Sequence, residues 1–180
     1  MTGPHQRPLL FLDVDGPLIP FGATPQQLPQ GYPTYRPASG GPSSGAGNPL
    51  VARIDPAFGP KLAALGCELV WATTWLDSAN ECVAPWLGLP ALAVVEWPED
   101  PEDLVRGLHW KTAPIVDRAA GRPFVWVDDE ISATDRAWVA GRHPGRALLQ
   151  RIDPRIGLTD ADFAAIRAWL RTGEGGAVPM

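Results

Sequence analysis

Leu9-Leu10-Phe11-Leu12-Asp13-Val14-Asp15-Gly16 decides how the rest of the chain is read. The apolar run is too short for a membrane span and is bounded by Pro8 and Gly16, which marks a strand buried on both faces, as in a parallel sheet. The strand ends in two carboxylates. In an open α/β sheet, ligands bind beyond the carboxyl ends of the strands, so Asp13 and Asp15 stand where chemistry is done. Alternation along an extended strand end sends both side chains to one side, and Gly16 lets the backbone turn away. Two carboxylates about 5 Å apart repel by roughly 3 kcal/mol at an effective dielectric near 20, and a hard cation is the usual remedy. Alone, the stretch reads equally well as a polar strand-to-turn ending, since Asp and Gly are common turn formers. The remaining motifs decide.

With 180 residues, 45% hydrophobic and 19% charged, the chain suits a single globular domain over residues 1–180. A net charge of -5 argues against an extended nucleic-acid-binding face, which needs a basic stripe, though not against a small basic pocket. Cys67 and Cys82 lack the spacing of a zinc site or a disulfide framework. No leader-like apolar segment precedes the first aspartate, and no run of 18 apolar residues occurs. The expectation is a cytoplasmic protein with reduced thiols and no membrane association.

Beyond the first strand, residues of about 20–50 are dominated by Gly, Pro and Ser and lack apolar periodicity, which predicts a long loop or flap. Gly41-Pro42-Ser43-Ser44-Gly45 matches a serine-hydrolase nucleophile pattern, but that pattern needs a strand before it and a helix after it, and neither is readable here. A helix then opens with Asp55 as cap and Pro56 in the first turn, carries Phe58, Leu62 and Leu65 on one face, and closes at Gly66. Glu68 to Ala72 read as a second strand running into Thr73-Thr74-Trp75. Trp75, Ala79, Cys82, Val83 and Trp86 then fall at helical spacing up to Gly88.

Ala91 to Val95 make a short third strand, and the acidic run Glu96 to Asp103 reads as a solvated loop. Lys111 precedes a helix ending at Gly121. Phe124-Val125-Trp126-Val127-Asp128-Asp129 then repeats the opening design, an apolar strand ending in adjacent acids. A helix over 131–141, an edge strand over 146–152 and a helix over 159–171 close the chain. Alternating strands and helices predict a doubly wound, Rossmann-like parallel sheet of about five strands with helices on both faces and no large cap. Asp13, Asp15, Thr73, Lys111, Asp128 and Asp129 then gather on one edge. Lys111 is one of two lysines against thirteen arginines, and its compact charge suits a phosphoryl oxygen beside an acid cluster.

The order Asp-x-Asp-Gly, strand-terminal Thr, Lys, then Asp-Asp after an apolar strand resembles the four motifs of the haloacid dehalogenase-like (HAD) hydrolase superfamily. The resemblance runs from Leu9 to about Glu130. The stretches Val70 to Trp75 with Ala79-Asn80, and Val125 to Glu130, are similar to the phosphatase-type domain of Swiss-Army-knife RNA repair proteins. The resemblance implies a Mg²⁺-dependent phosphatase in which Asp13 is the nucleophile and Asp15 the general acid and base. It further implies that Thr73, Thr74 and Lys111 bind phosphate. Mg²⁺ is then held by the Asp13 carboxylate, the Asp15 main-chain carbonyl and one or both of Asp128 and Asp129. The implied substrate is a phosphorylated small molecule, such as a nucleotide, or a nucleic-acid terminal phosphate. Pro17 departs from the superfamily pattern and leaves the flap's geometry open.

Among the eight tryptophans, Trp71 and Trp126 read as strand core and Trp86, Trp138 and Trp169 as helix core, while Trp75 and Trp110 are placed to line the mouth and stack on an aromatic group. His5, His109 and His143 fall in loops without ligand spacing; His109 reads as a surface residue, with an approach to the site through Lys111 as the alternative. Asp135 reads either as an exposed helical acid or as a residue that orients Lys111 or a metal-bound water. Two other classes compete with the enzyme: a phosphorelay receiver, disfavoured because the paired acids here follow the lysine, and a catalytically idle module that keeps the fold and binds metal or phosphate.

Overall fold

The computed structural model describes residues 7–37, 48–98 and 107–174. Five strands, β1 (Leu9–Leu12), β2 (Glu68–Trp71), β3 (Ala93–Val94), β4 (Phe124–Asp128) and β5 (Ala147–Arg151), pair in parallel in the order β3-β2-β1-β4-β5. The helices are α1 (Phe58–Ala63), α2 (Ala84–Leu87), α3 (Thr112–Ala119), α4 (Ala133–Arg142) and α5 (Asp160–Glu174). The chain is the α/β doubly wound architecture read from its sequence.

Strand alternation builds the two layers. Leu10 and Leu12 of β1, Trp71 of β2 and Val125 and Val127 of β4 enter one core with Leu62, Trp86, Phe163 and Ile166 from α1, α2 and α5. Leu9 and Phe11, Val70, Phe124 and Trp126 enter the other with Ile115, Ala119 and Val139 from α3 and α4. Every residue of β1 is buried, because both faces are covered. From β1 the chain builds outward through β2 to β3, then returns to pair β4 on the other side of β1. That reversal opens the crevice beyond the carboxyl ends of β1 and β4.

The helix expected from Trp75 begins only at Ala79, after a turn in which Leu76 takes a φ of 49°. Its first turn is widened, with Ala84 N–H donating to the Ala79 carbonyl five residues back. Pro85 accounts for this: it has no N–H to give and its ring crowds the carbonyl four residues earlier, so a regular α-turn is disfavoured.

The loop after β1 is tied down where it is described. Phe21 N–H donates to the Pro154 carbonyl, Tyr35 N–H to that of Ala52, and the Arg53 guanidinium to that of Pro20. With residues 153–160 this loop lines a cleft of about 660 Å³ that contains none of the strand-end acids. Gly41 to Gly45 and most of the acidic run lie outside the described residues. Among the described residues, no helix is long and apolar enough to cross a membrane.

Candidate active site

The site is built from three strand ends and one helix start. Asp13 directly follows β1, Thr73 follows β2, Asp128 is the last residue of β4, and Lys111 immediately precedes α3. A crossover helix runs antiparallel to the strands, so it begins where they end. Lys111 is 3% exposed, and its Nζ donates to Asp13 Oδ2 at 2.6 Å and to Asp128 Oδ2 at 2.8 Å. Asp13 Oδ1 accepts from Val14 N–H, and Asp128 Oδ1 from Glu130 N–H. Both carboxylates are thereby fixed in orientation.

Carboxylate oxygens of Asp13, Asp128 and Asp129 lie within 4.8 Å of one another. The donors are all oxygen, which suits a hard divalent cation rather than zinc. One ammonium among three carboxylates leaves the crevice with excess negative charge, and the acids respond. Burial, then the charge of Asp128, pushes Asp13 up to about 7 against the pull of Lys111. Burial and Asp128 push Asp129 up to about 6. For Lys111 burial alone favours the neutral amine, but Asp13 and Asp128 outweigh it and raise its pKa.

These shifts set a pH dependence for the metal-free protein. Asp13 and Asp129 hold their protons more tightly folded than unfolded, so their stabilisation is complete below about pH 4 and is lost as pH rises through 6 and 7. Thermal melts in chelator are expected to show a falling midpoint between pH 5 and pH 8, with excess Mg²⁺ reducing the fall. A midpoint that rises across this range in chelator contradicts the assignment.

Asp15 does not join the carboxylate cluster. The chain leaves extended geometry after β1, with the Val14 carbonyl accepting from both Leu18 and Ile19 N–H, so strand alternation no longer governs. Its Oδ2 accepts from Trp75 Nε1 at 2.9 Å. Gly16, at φ 88°, lets the turn pass Asp129: a Cβ here would stand 2.6 Å from that residue's Cγ.

Residues 9–163 match the model of a family described as the HAD domain in Swiss Army Knife RNA repair proteins. The chain belongs to this family. No curated protein and no solved structure matches it.

Within this HAD domain, indole N–H groups do much of the positioning. Trp75 holds Asp15, Trp97 Nε1 donates to the Thr73 carbonyl at 3.0 Å, and Trp126 Nε1 reaches Asp128 Oδ2 at 3.3 Å. Trp97, read as part of a solvated loop, is therefore an anchor of the β2 edge. Trp110 packs edge-on against Trp97, with Lys111 Nζ 5.6 Å from its ring centre. Thr73 is fully buried and its Oγ1 accepts from Trp75 N–H, leaving its own proton to donate; Thr74 is exposed beside it.

Of the histidines, His109 follows its alternative reading and stands beside Lys111, and His143 lies in the interior. His143 Nε2 faces the Arg122 carbonyl, and His109 packs against Trp126. Asp135 is fully buried rather than exposed. Burial works against its charge, but donors from Ser132, Thr112 and the His109 backbone outweigh burial and hold its carboxyl below the usual carboxylate range.

Proposed function

We propose that this HAD domain is a metal-dependent phosphomonoester hydrolase that works through an aspartyl-phosphate on Asp13. The observation that carries the reading is the Lys111 ammonium seated between Asp13 and Asp128, with Asp129 in reach. Nucleophile, counter-charge and a hard-cation donor set thus share one sheet edge. Phosphoryl transfer asks for in-line positioning and charge compensation, and this edge is equipped for both.

An Asp13 carboxylate oxygen attacks phosphorus as the bond to the leaving oxygen breaks, and Asp15 gives that oxygen its proton. Water then attacks the same phosphorus and passes a proton to Asp15, while the acyl-phosphate bond breaks and Asp13 is released as carboxylate. Trp75 occupies one oxygen of Asp15, which leaves the other to carry the proton. Thr73, exposed Thr74 and Lys111 bind the non-bridging phosphoryl oxygens. Asp13, the Asp15 carbonyl and one or both of Asp128 and Asp129 would hold Mg²⁺, which would compensate the charge of the transferring group.

The family description favours a nucleotide or a nucleic-acid terminal phosphate as substrate, and the partly exposed Trp75 offers such a substrate a stacking surface. Release of nitrophenol from p-nitrophenyl phosphate tests the activity. Turnover is expected with Mg²⁺ and is expected to vanish with excess chelator. Turnover of equal rate in chelator overturns the metal-dependent scheme, and a well-folded protein without turnover on this ester or on a panel of phosphorylated nucleotides and oligonucleotides overturns the phosphatase reading.

A further inference from the structure

We infer that Asp135 is a positioning residue that sets where the Lys111 ammonium stands. The inference rests on the reading of Lys111 as the phosphate-facing cation. Asp135 is the third residue of α4 and forms a capping box with Ser132: its Oδ2 accepts from Ser132 N–H at 2.8 Å and from the Ser132 hydroxyl. A capping box asks no more of the carboxylate than this.

The other oxygen is used outside the helix. Asp135 Oδ1 accepts from His109 N–H at 2.8 Å and from Thr112 Oγ1 at 2.6 Å. These two donors bracket Lys111, and both oxygens of the fully buried Asp135 carboxylate are employed.

A second tether runs in parallel. His109 Nδ1 accepts from Lys111 N–H at 3.3 Å, which makes Nε2 the protonated nitrogen, facing Glu130 Oε2 at 3.0 Å. Glu130 and Asp135 both belong to the connection and first turn that follow β4, the same stretch that carries Asp128 and Asp129. The segment 109–112 is thus fastened to the acid-bearing stretch at both ends. Lysine has a long flexible stem, so an ammonium placed within hydrogen-bond distance of two carboxylates needs its backbone fixed.

Thr112→Val, Thr112→Ser and Asp135→Asn test this. Thr112→Val is nearly isosteric and removes one hydrogen bond, so it guards against Asp135→Asn failing to fold. Lys61 and Lys111 are the only lysines, so acetylation by an N-hydroxysuccinimide ester, read by mass spectrometry, reports Lys111 against an internal standard. In the wild type Lys61, with 35% of its side chain exposed, is expected to label and Lys111 to be protected.

Thr112→Val and Asp135→Asn are expected to raise the Lys111 to Lys61 ratio about fivefold or more and to lower kcat on p-nitrophenyl phosphate about tenfold, since small misplacements of a charge-compensating group are costly. Thr112→Ser, which keeps the hydroxyl, restores both. An unchanged labelling ratio in folded Thr112→Val and Asp135→Asn overturns the inference. A wild type without turnover overturns the phosphatase reading alone, because the labelling ratio still decides whether Asp135 positions Lys111.

Discussion

Asp13→Asn is expected to abolish hydrolysis of p-nitrophenyl phosphate, with a loss of about 10⁴-fold or more, while leaving the protein folded. A neutral amide oxygen is a poor nucleophile and cannot form the acyl phosphate that a carboxylate forms, and nothing else among the described residues stands in its place between Val14 N–H and Lys111 Nζ. The fold survives because the ionised aspartate is itself a burden: burial and Asp128 push it up to about 7, so at pH 8 the metal-free protein holds a charge it disfavours. The neutral amide removes that burden while giving up one charge-assisted hydrogen bond. A thermal midpoint within a few degrees of wild type, measured beside the lost turnover, is the expected signature of a site where stability was exchanged for function. Residual activity within tenfold of wild type sinks the covalent scheme and points to direct attack by water.

Lys111→Met carries the second large effect, and it falls on stability first. Methionine fills the space of the lysine stem but removes the only ammonium that faces Asp13 and Asp128 among the described residues. Breaking a buried pair by deleting one partner leaves uncompensated charge, at a cost of about 3–5 kcal/mol, or about 6–20 °C of midpoint in a chain of this length. The loss is expected in full at pH 8 in chelator. It shrinks toward pH 5, because protonation of Asp13 relieves the repulsion, and excess Mg²⁺ recovers part of it at pH 8. Turnover in Mg²⁺ is expected to fall about 10²- to 10³-fold, in keeping with the loss of one preorganised charge at a transferring group. A deficit of equal size at pH 5 and pH 8 assigns the role of Lys111 to packing rather than charge.

Much of the architecture is local in origin and therefore visible in the chain. The apolar runs at 9–12, 69–71 and 124–127 are short, rich in bulky apolar side chains and each soon followed by polar residues, and each lies in a strand. The helix after Trp75 starts later than its apolar spacing predicts, because that spacing reports which side chains are buried, not how the backbone is bonded. Leu76 adopts a left-handed conformation and Pro85 favours a widened turn in a segment whose buried positions nevertheless fall as expected.

Residue identity and order along the chain were enough to determine the doubly wound sheet, the acids at two strand ends and which of the two lysines belongs with them. Each of these follows from alternation, turn chemistry or the rule that strand ends share an edge. Only the tertiary structure decided which acids touch. It placed Asp129 with Asp13 and Asp128, gave Asp15 to the Trp75 indole, and buried Asp135 against the segment that carries Lys111. Those outcomes depend on contacts between residues far apart in sequence. A hydrogen bond across 26 residues leaves no periodicity behind, so no local pattern could have announced it.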